Sequence, residues 1–133
     1  MNIGKITGKH QDKLYLVFRV LVGFLFLQHG GQKLFGWFGG NVASLTSLMG
    51  VAGIIEFFGG LAILLGLFSR LAALIAGLEM LTAFFMAHYP NGLNPLLNGG
   101  ELALMFFASF LIVIVHGNRK WSLEKKILNK ETF

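Results

Sequence analysis

Residues 50–70 read GVAGIIEFFGGLAILLGLFSR, and among the nineteen positions from Gly50 to Phe68 only Glu56 is charged. At a rise of about 1.5 Å per residue such a run crosses the roughly 30 Å hydrocarbon core of a bilayer. A carboxylate set into that core is costly unless it faces protein or a water-filled cavity. The helical period puts Glu56, Gly59, Gly60, Ile63 and Leu67 on one face. The carboxylate therefore shares its face with two glycines, which let another helix approach closely. The stretch reads as a membrane span with its polar side turned inward.

Three more apolar runs flank it. The first span is expected over 14–30, with Arg19 its only charge, and the second over 50–68. Ser69 and Arg70 make a very short turn into a third span, 71–88, which carries Glu79. The fourth, 101–116, is short for a span, so its first turn is expected in the preceding loop. Residues 31–49 form a glycine- and aromatic-rich connection, whose Phe35, Trp37 and Phe38 suit a membrane–water interface. The segment YPNGLNPLLNGG, residues 89–100, is dense in Pro, Asn and Gly and punctuates the chain as a loop.

Composition agrees. The 133 residues suffice for one domain, and 55% hydrophobic content with 13% charged residues points away from a soluble fold. Mean hydropathy is +0.70. The net charge of +5 sits at the ends of the apolar runs, where lipid headgroups explain it better than nucleic acid, which is not expected as a partner. There is no cysteine, which excludes disulfides, thiol catalysis and thiolate metal sites. A redox role then needs a cofactor or a partner. The basic start followed by an apolar run is reminiscent of a signal peptide, but Arg19 interrupts the run and no small-residue cleavage site follows, so it is expected to stay as a helix.

Nine of the eleven lysines and arginines fall on one side of a four-span arrangement: Lys5, Lys9, Lys13, Arg70, Arg119, Lys120, Lys125, Lys126 and Lys130. Lys33 alone lies on the other side. The positive-inside rule then puts both termini in the cytoplasm. Four spans with short connections predict an all-α, antiparallel four-helix transmembrane bundle in a prokaryotic plasma membrane.

Arg19 shares a face with Gly23, Phe26 and Gly30, and Glu79 with Ala72, Ala76 and Ala83. All three midspan charges thus lie on small-residue faces and are expected to point into the bundle. Each costs on the order of 3 kcal/mol if left unpaired. Arg19 lies about 8 Å and Glu79 about 13 Å from the cytoplasmic surface, which predicts an Arg19–Glu79 pair. Gln28, His29, Lys33, Glu56, His88 and Glu101 gather towards the outer ends as a polar pocket. His29 and His88 could hold a haem, yet histidines at helix ends are more often hydrogen-bonded or interfacial, and haem is disfavoured. A metal site lacks any diagnostic spacing. A quinone or similar head group needs only a donor, His29 or Lys33, and an acceptor, Glu56, beside aromatic residues. A proton or solute path through Glu56 and Glu79 is also physically reasonable.

Arg19 and Gly23, the run Gly31-Gln32-Lys33-Leu34-Phe35-Gly36, and Glu56-Phe57-Phe58-Gly59-Gly60 with Gly66 and Arg70 resemble the DoxX membrane proteins. Met80, Ala83 and His88 fit, as do Asn98-Gly99-Gly100-Glu101 and the closing GNRKWSLE, residues 117–124, in which Glu124 stands where an Asp is usual. The resemblance implies a small four-helix integral membrane protein. It also implies links to thiosulfate:quinone oxidoreduction, to resistance against quinones and catechols, and to membrane complexes handling oxidative and thiol stress. More distant relatives act as cargo receptors without catalysis.

The leading expectation is a membrane protein binding a quinone-like molecule in an outward-opening pocket. Glu56 would be acceptor or proton carrier and His29 a donor. Gln28, Lys33, His88 and Glu101 would be further ligand-binding residues. One rival is a non-catalytic scaffold that holds a soluble oxidoreductase subunit through its basic C-tail, and another is a proton-coupled exporter. The Ala73/Gly77 and Ala62/Gly66 pairs suit contacts within the chain or between copies equally well, which leaves a homo-oligomer open.

Overall fold

The computed structural model describes residues 1–133, all of them in helices or connections. The α-helices are α1 (Ile3–Lys9), α2 (Gln11–Phe35), α3 (Leu48–Leu65), α4 (Ser69–Ala83), α5 (Pro95–Asn98), α6 (Glu101–His116) and α7 (Leu123–Leu128). Beyond Ala83 the α4 backbone widens into a π-turn, Phe84–His88, and then a 3-10 turn, Tyr89–Asn91. Pro90 lacks the N–H that a regular helix would donate to Met86, so the α-helical ladder cannot continue there. Three segments are long and apolar enough to cross a membrane: Gln11–Phe35, Leu48–Leu65 and Ser69–Asn91. α6 is equally apolar but has 16 residues, about 24 Å of helix.

Several helix ends differ from expectation, among them Ser69 and Arg70, which were expected as a turn and already belong to α4. α2 does not stop near Gly30 but runs five residues further, to Phe35. Gly31 stays helical because the Trp37 ring packs where its Cβ would be. The helix stops at Gly36, whose φ of 71° is left-handed and whose N–H bonds back to Gln32 O. α3 ends at Leu65, before the expected Phe68. Gly66 takes a φ of 71° and Leu67 N donates to Ala62 O at 2.8 Å, closing the helix. At its start, Ser47 caps α3 by accepting from Gly50 N.

α2 and α3 meet through glycine. A Cβ on Gly23 would lie 2.6 Å from Leu64 N, and one on Gly60 would lie 2.5 Å from Leu27 N. Further along, Gly30 abuts the Phe57 backbone and Gly53 abuts Lys33 Cβ. As the α2 numbers rise the α3 numbers fall, so the two helices are antiparallel. α4 and α6 pair in the same sense, Gly77 against Phe107 and Phe110 at one level and Phe84 against Gly100 at another. Phe26 of α2 ties the pairs together, with its ring 5.2 Å from Phe106 and 4.8 Å from Phe110. Around this triad Val22, Ile63, Ala73, Ala76, Met80 and Val113 complete the core. Between spans in lipid such a core is held by close van der Waals packing rather than by exclusion of water.

The C-terminal segment, read from sequence as a polar tail, folds back as a clasp. Arg19 is 1% exposed and donates to Asn118 O at 2.6 Å and to Trp121 O at 2.8 Å. Tyr15 OH donates to Gly117 O. Glu124 is fully buried; its carboxylate accepts from Phe68 N at 3.0 Å, Thr132 N at 2.6 Å and the Asn118 amide. Its own N–H donates to Gly66 O. Arg70 donates to Ile114 O and pairs with Glu131 at 2.9 Å. The expected Arg19–Glu79 pair does not form. The Arg19 guanidinium is met instead by backbone carbonyls of the returning tail, and the Asn118 side chain carries the network on to Glu124.

Burial opposes the charge on Glu124, but the N–H groups of Thr132 and Phe68 and the Asn118 amide outweigh it and hold the carboxyl below its ordinary range. A carboxyl whose folded pKa lies below its unfolded one adds stability that is complete above the unfolded value and is lost as pH falls through the folded one. Hydrogen-exchange protection factors at Phe68 and Thr132 are therefore expected to fall in acid, and Glu124→Gln to show the same loss at neutral pH. Equal protection in the variant and the parent would sink this assignment.

Candidate functional site

The end of the α2–α3 pair where α2 stops and α3 begins holds a cluster of buried charges. Lys33, in the last turn of α2, donates to Glu56 of α3 at 2.6 Å. Their side chains are 19% and 4% exposed, so the pair is largely shielded from solvent. Gly53 makes room for the lysine stem. The carboxyl of Glu79, on α4, lies near Glu56 and Lys33, and its Oε2 is buried without a hydrogen-bond partner. Two acids and one ammonium carry a net charge of −1 when all are ionised.

One helical turn before Lys33, the His29 ring stands perpendicular to Phe106 with centroids 5.7 Å apart. His29, Gln28, Gln32 and Phe38 line an open cleft of about 250 Å³. An aromatic group of Phe35, Trp37 and Phe57, with centroids 5.2–5.8 Å apart, covers the neighbouring end of α2 and α3.

The structure thus brings together Gln28, His29, Lys33 and Glu56, and it adds Glu79, which sequence reasoning had assigned to Arg19. The other two expected residues lie apart from this group's hydrogen bonds. His88 turns its Nδ1 to Asn98 O at 3.3 Å, under the loop before α6. Glu101 opens α6, is exposed and makes no ion pair. Its carboxylate there favours the helix N-terminus. No three His, Asp or Glu side chains converge as a metal-ligand set. Gln32 and Phe38 were missed. Gln32 lies four residues after Gln28, on the same helical face, and would have been legible had α2 been carried past Gly30.

The model of the DoxX family matches residues 14–89. That span contains α3, α4 and all but the first three residues of α2, and with them His29, Lys33, Glu56 and Glu79. A Haemophilus influenzae protein described as uncharacterized is 35% identical over 129 residues, covering 92% of this chain and 96% of its own length. The inner membrane protein YqjF of Escherichia coli K12 is 35% identical over 132 residues, covering 92% and 98%. No solved structure matches the chain.

Proposed function

The chain belongs to the DoxX family, and on that premise we propose that it crosses a prokaryotic inner membrane four times, with both termini cytoplasmic, and binds a quinone-like redox molecule at the outer end of its spans. Three span-length helices, an apolar α6 and a relative named as an inner membrane protein support the setting. The one-sided distribution of lysine and arginine supports the orientation.

The observation that carries the ligand reading is a shielded Lys33–Glu56–Glu79 centre one helical turn from a cleft lined by Gln28, His29 and Gln32. His29 and the glutamine amides offer donors to a carbonyl oxygen, and Phe38 offers an aromatic face. Reduction of a quinone to a quinol takes up two electrons and two protons. The chain has no thiol to supply electrons, so they come from a partner oxidoreductase. The two protons are drawn from water at the open cleft and delivered to the carbonyl oxygens by His29, with the Lys33–Glu56–Glu79 charges held one helical turn away.

Organic extracts of the detergent-purified protein, analysed by mass spectrometry, test this. A quinone in near-stoichiometric amount is expected from the parent and at least roughly tenfold less from His29→Leu, as loss of one good polar anchor implies. His29→Leu leaves the Lys33–Glu56 pair intact, whereas Glu56→Gln strands a buried lysine; the double change Lys33→Met/Glu56→Gln removes both charges together. Bulk lipid alone from the parent, or equal quinone from folded His29→Leu, would end the proposal.

A further inference from the structure

At the opposite end of the helices an open cleft of about 400 Å³ lies between α1 and the adjoining ends of α2 and α6. Leu14 and Tyr15 line it with apolar surface, and Gln11, His116 and Arg119 line it with polar groups. The Arg119 guanidinium sits 5.8 Å from the Tyr15 ring centroid, and the His116 ring 5.3 Å from it. A Cβ on Gly8 would meet nothing within 4 Å, so the α1 side of the cleft is empty space. α1 itself buries no residue.

The charges there do not balance. Asp12 faces two cations, Arg119 at 3.5 Å and Lys120 at 3.3 Å, and one carboxylate cannot neutralise both. The nearby Glu131 is already engaged by Arg70 and by Asn118 N. Both Asp12 contacts are long for charge-assisted hydrogen bonds, which run at about 2.7–2.9 Å. The guanidinium therefore retains donors that can be directed at an anion. From the mouth of this cleft an apolar stripe runs up α2: Leu14, Val17 and Leu21 are 53%, 56% and 53% exposed and recur at helical spacing.

We propose that this cleft is a binding site for an anionic phospholipid. The phosphate ester lies against Arg119 with the Gln11 amide as a second donor, the glycerol lies over the Tyr15 ring, and an acyl chain follows Leu14, Val17 and Leu21 into the bilayer. The apolar stripe favours a lipid over free phosphate, because inorganic phosphate would leave it unused. The inference rests on the reading of α2 as a membrane span with its N-terminal end at the surface, and not on the ligand of the outer centre.

Native mass spectrometry of the full chain in detergent tests it, with phosphatidylglycerol, phosphatidylcholine and inorganic phosphate added in separate arms. Phosphatidylglycerol is expected to bind at least roughly tenfold more tightly than phosphatidylcholine, because both offer a phosphate to Arg119 but the choline cation is repelled by Arg119 and Lys120. Arg119→Gln should remove that preference. Lys126→Gln, which deletes an exposed cation outside the cleft, should retain it. Gly8→Leu, which fills the cleft from α1 without touching the core, should also remove the preference and serves if Arg119→Gln folds poorly. Equal binding of the two lipids, an unchanged preference in Arg119→Gln or Gly8→Leu, or displacement of phosphatidylglycerol by millimolar inorganic phosphate would overturn the proposal. Release of the chain from membranes by alkaline carbonate would instead overturn the spanning reading on which it rests.

Discussion

Arg19→Met is expected to lower stability by about 3–5 kcal/mol, the range for removing one member of a buried ionic network. The guanidinium supplies the donors for the carbonyls of Asn118 and Trp121. Methionine fills much of the space but donates nothing, so two carbonyls lose their donor together. SDS or thermal unfolding of the detergent-solubilised protein should show a large fall in midpoint. Trypsin should meanwhile cut at Lys125, Lys126 or Lys130 in the freed clasp while the helices remain intact. Arg19 and Glu124 both hold Asn118, so Arg19→Met with Glu124→Gln should cost less than the sum of the two single losses, and the double-mutant cycle reads their coupling directly. Strict additivity would show that the tail and the guanidinium are independent, contrary to the network seen.

Gly60→Ala and Gly59→Ala should act in opposite directions although the positions are adjacent. A Cβ on Gly60 would lie 2.5 Å from Leu27 N and 2.7 Å from Gly23 O, and these are backbone atoms of the facing helix that no rotamer change can move. α2 and α3 would have to separate, with a cost of about 3 kcal/mol at the upper end of overpacking effects. At Gly59 the nearest atom would be Phe26 Cε1 at 3.8 Å, an ordinary contact. Alanine there should stabilise by up to about 1 kcal/mol through its better helix propensity. Parallel unfolding curves for the two variants check this, and a shared sign would contradict the glycine-mediated packing of α2 on α3.

The second effect bears on function, because the α2–α3 seam also sets the distance from Lys33 to Glu56. Gly53 receives the lysine stem one side of the seam, and Gly30 abuts Phe57, the residue after Glu56. Spreading the seam would pull the ion pair apart as well as weaken the fold.

Much of this was legible in the sequence. Four apolar runs and the inward side of the first three could be read because hydropathy and helical period are properties of neighbouring residues. The bounds of α6 match the expected 101–116, but the turn expected ahead of it in the loop does not join it, because α5 is closed off by a left-handed Gly99. That Glu56 and Arg19 are buried also followed, since both lie on small-residue faces. The ends of α2 and α3 were less clear, because a glycine does not announce whether it is helical, as Gly31 is, or left-handed, as Gly36 and Gly66 are. Gly31 is kept in the helix by Trp37, a contact made across a turn.

The partners of the buried charges were beyond a reading by helix rise alone. Depth along isolated spans placed Arg19 with Glu79 by treating the tail as solvent-exposed chain. In the structure Arg19 is satisfied by the carbonyl of Trp121, 102 residues away, and Glu79 lies against Glu56 instead. The sequence by itself determined the class of molecule, its apolar segments and which charges must be hidden, for these depend on local transfer free energy and periodicity. Only the tertiary structure decided which hidden charge meets which, because pairing depends on how the helices and the returning C-terminal segment approach one another in three dimensions.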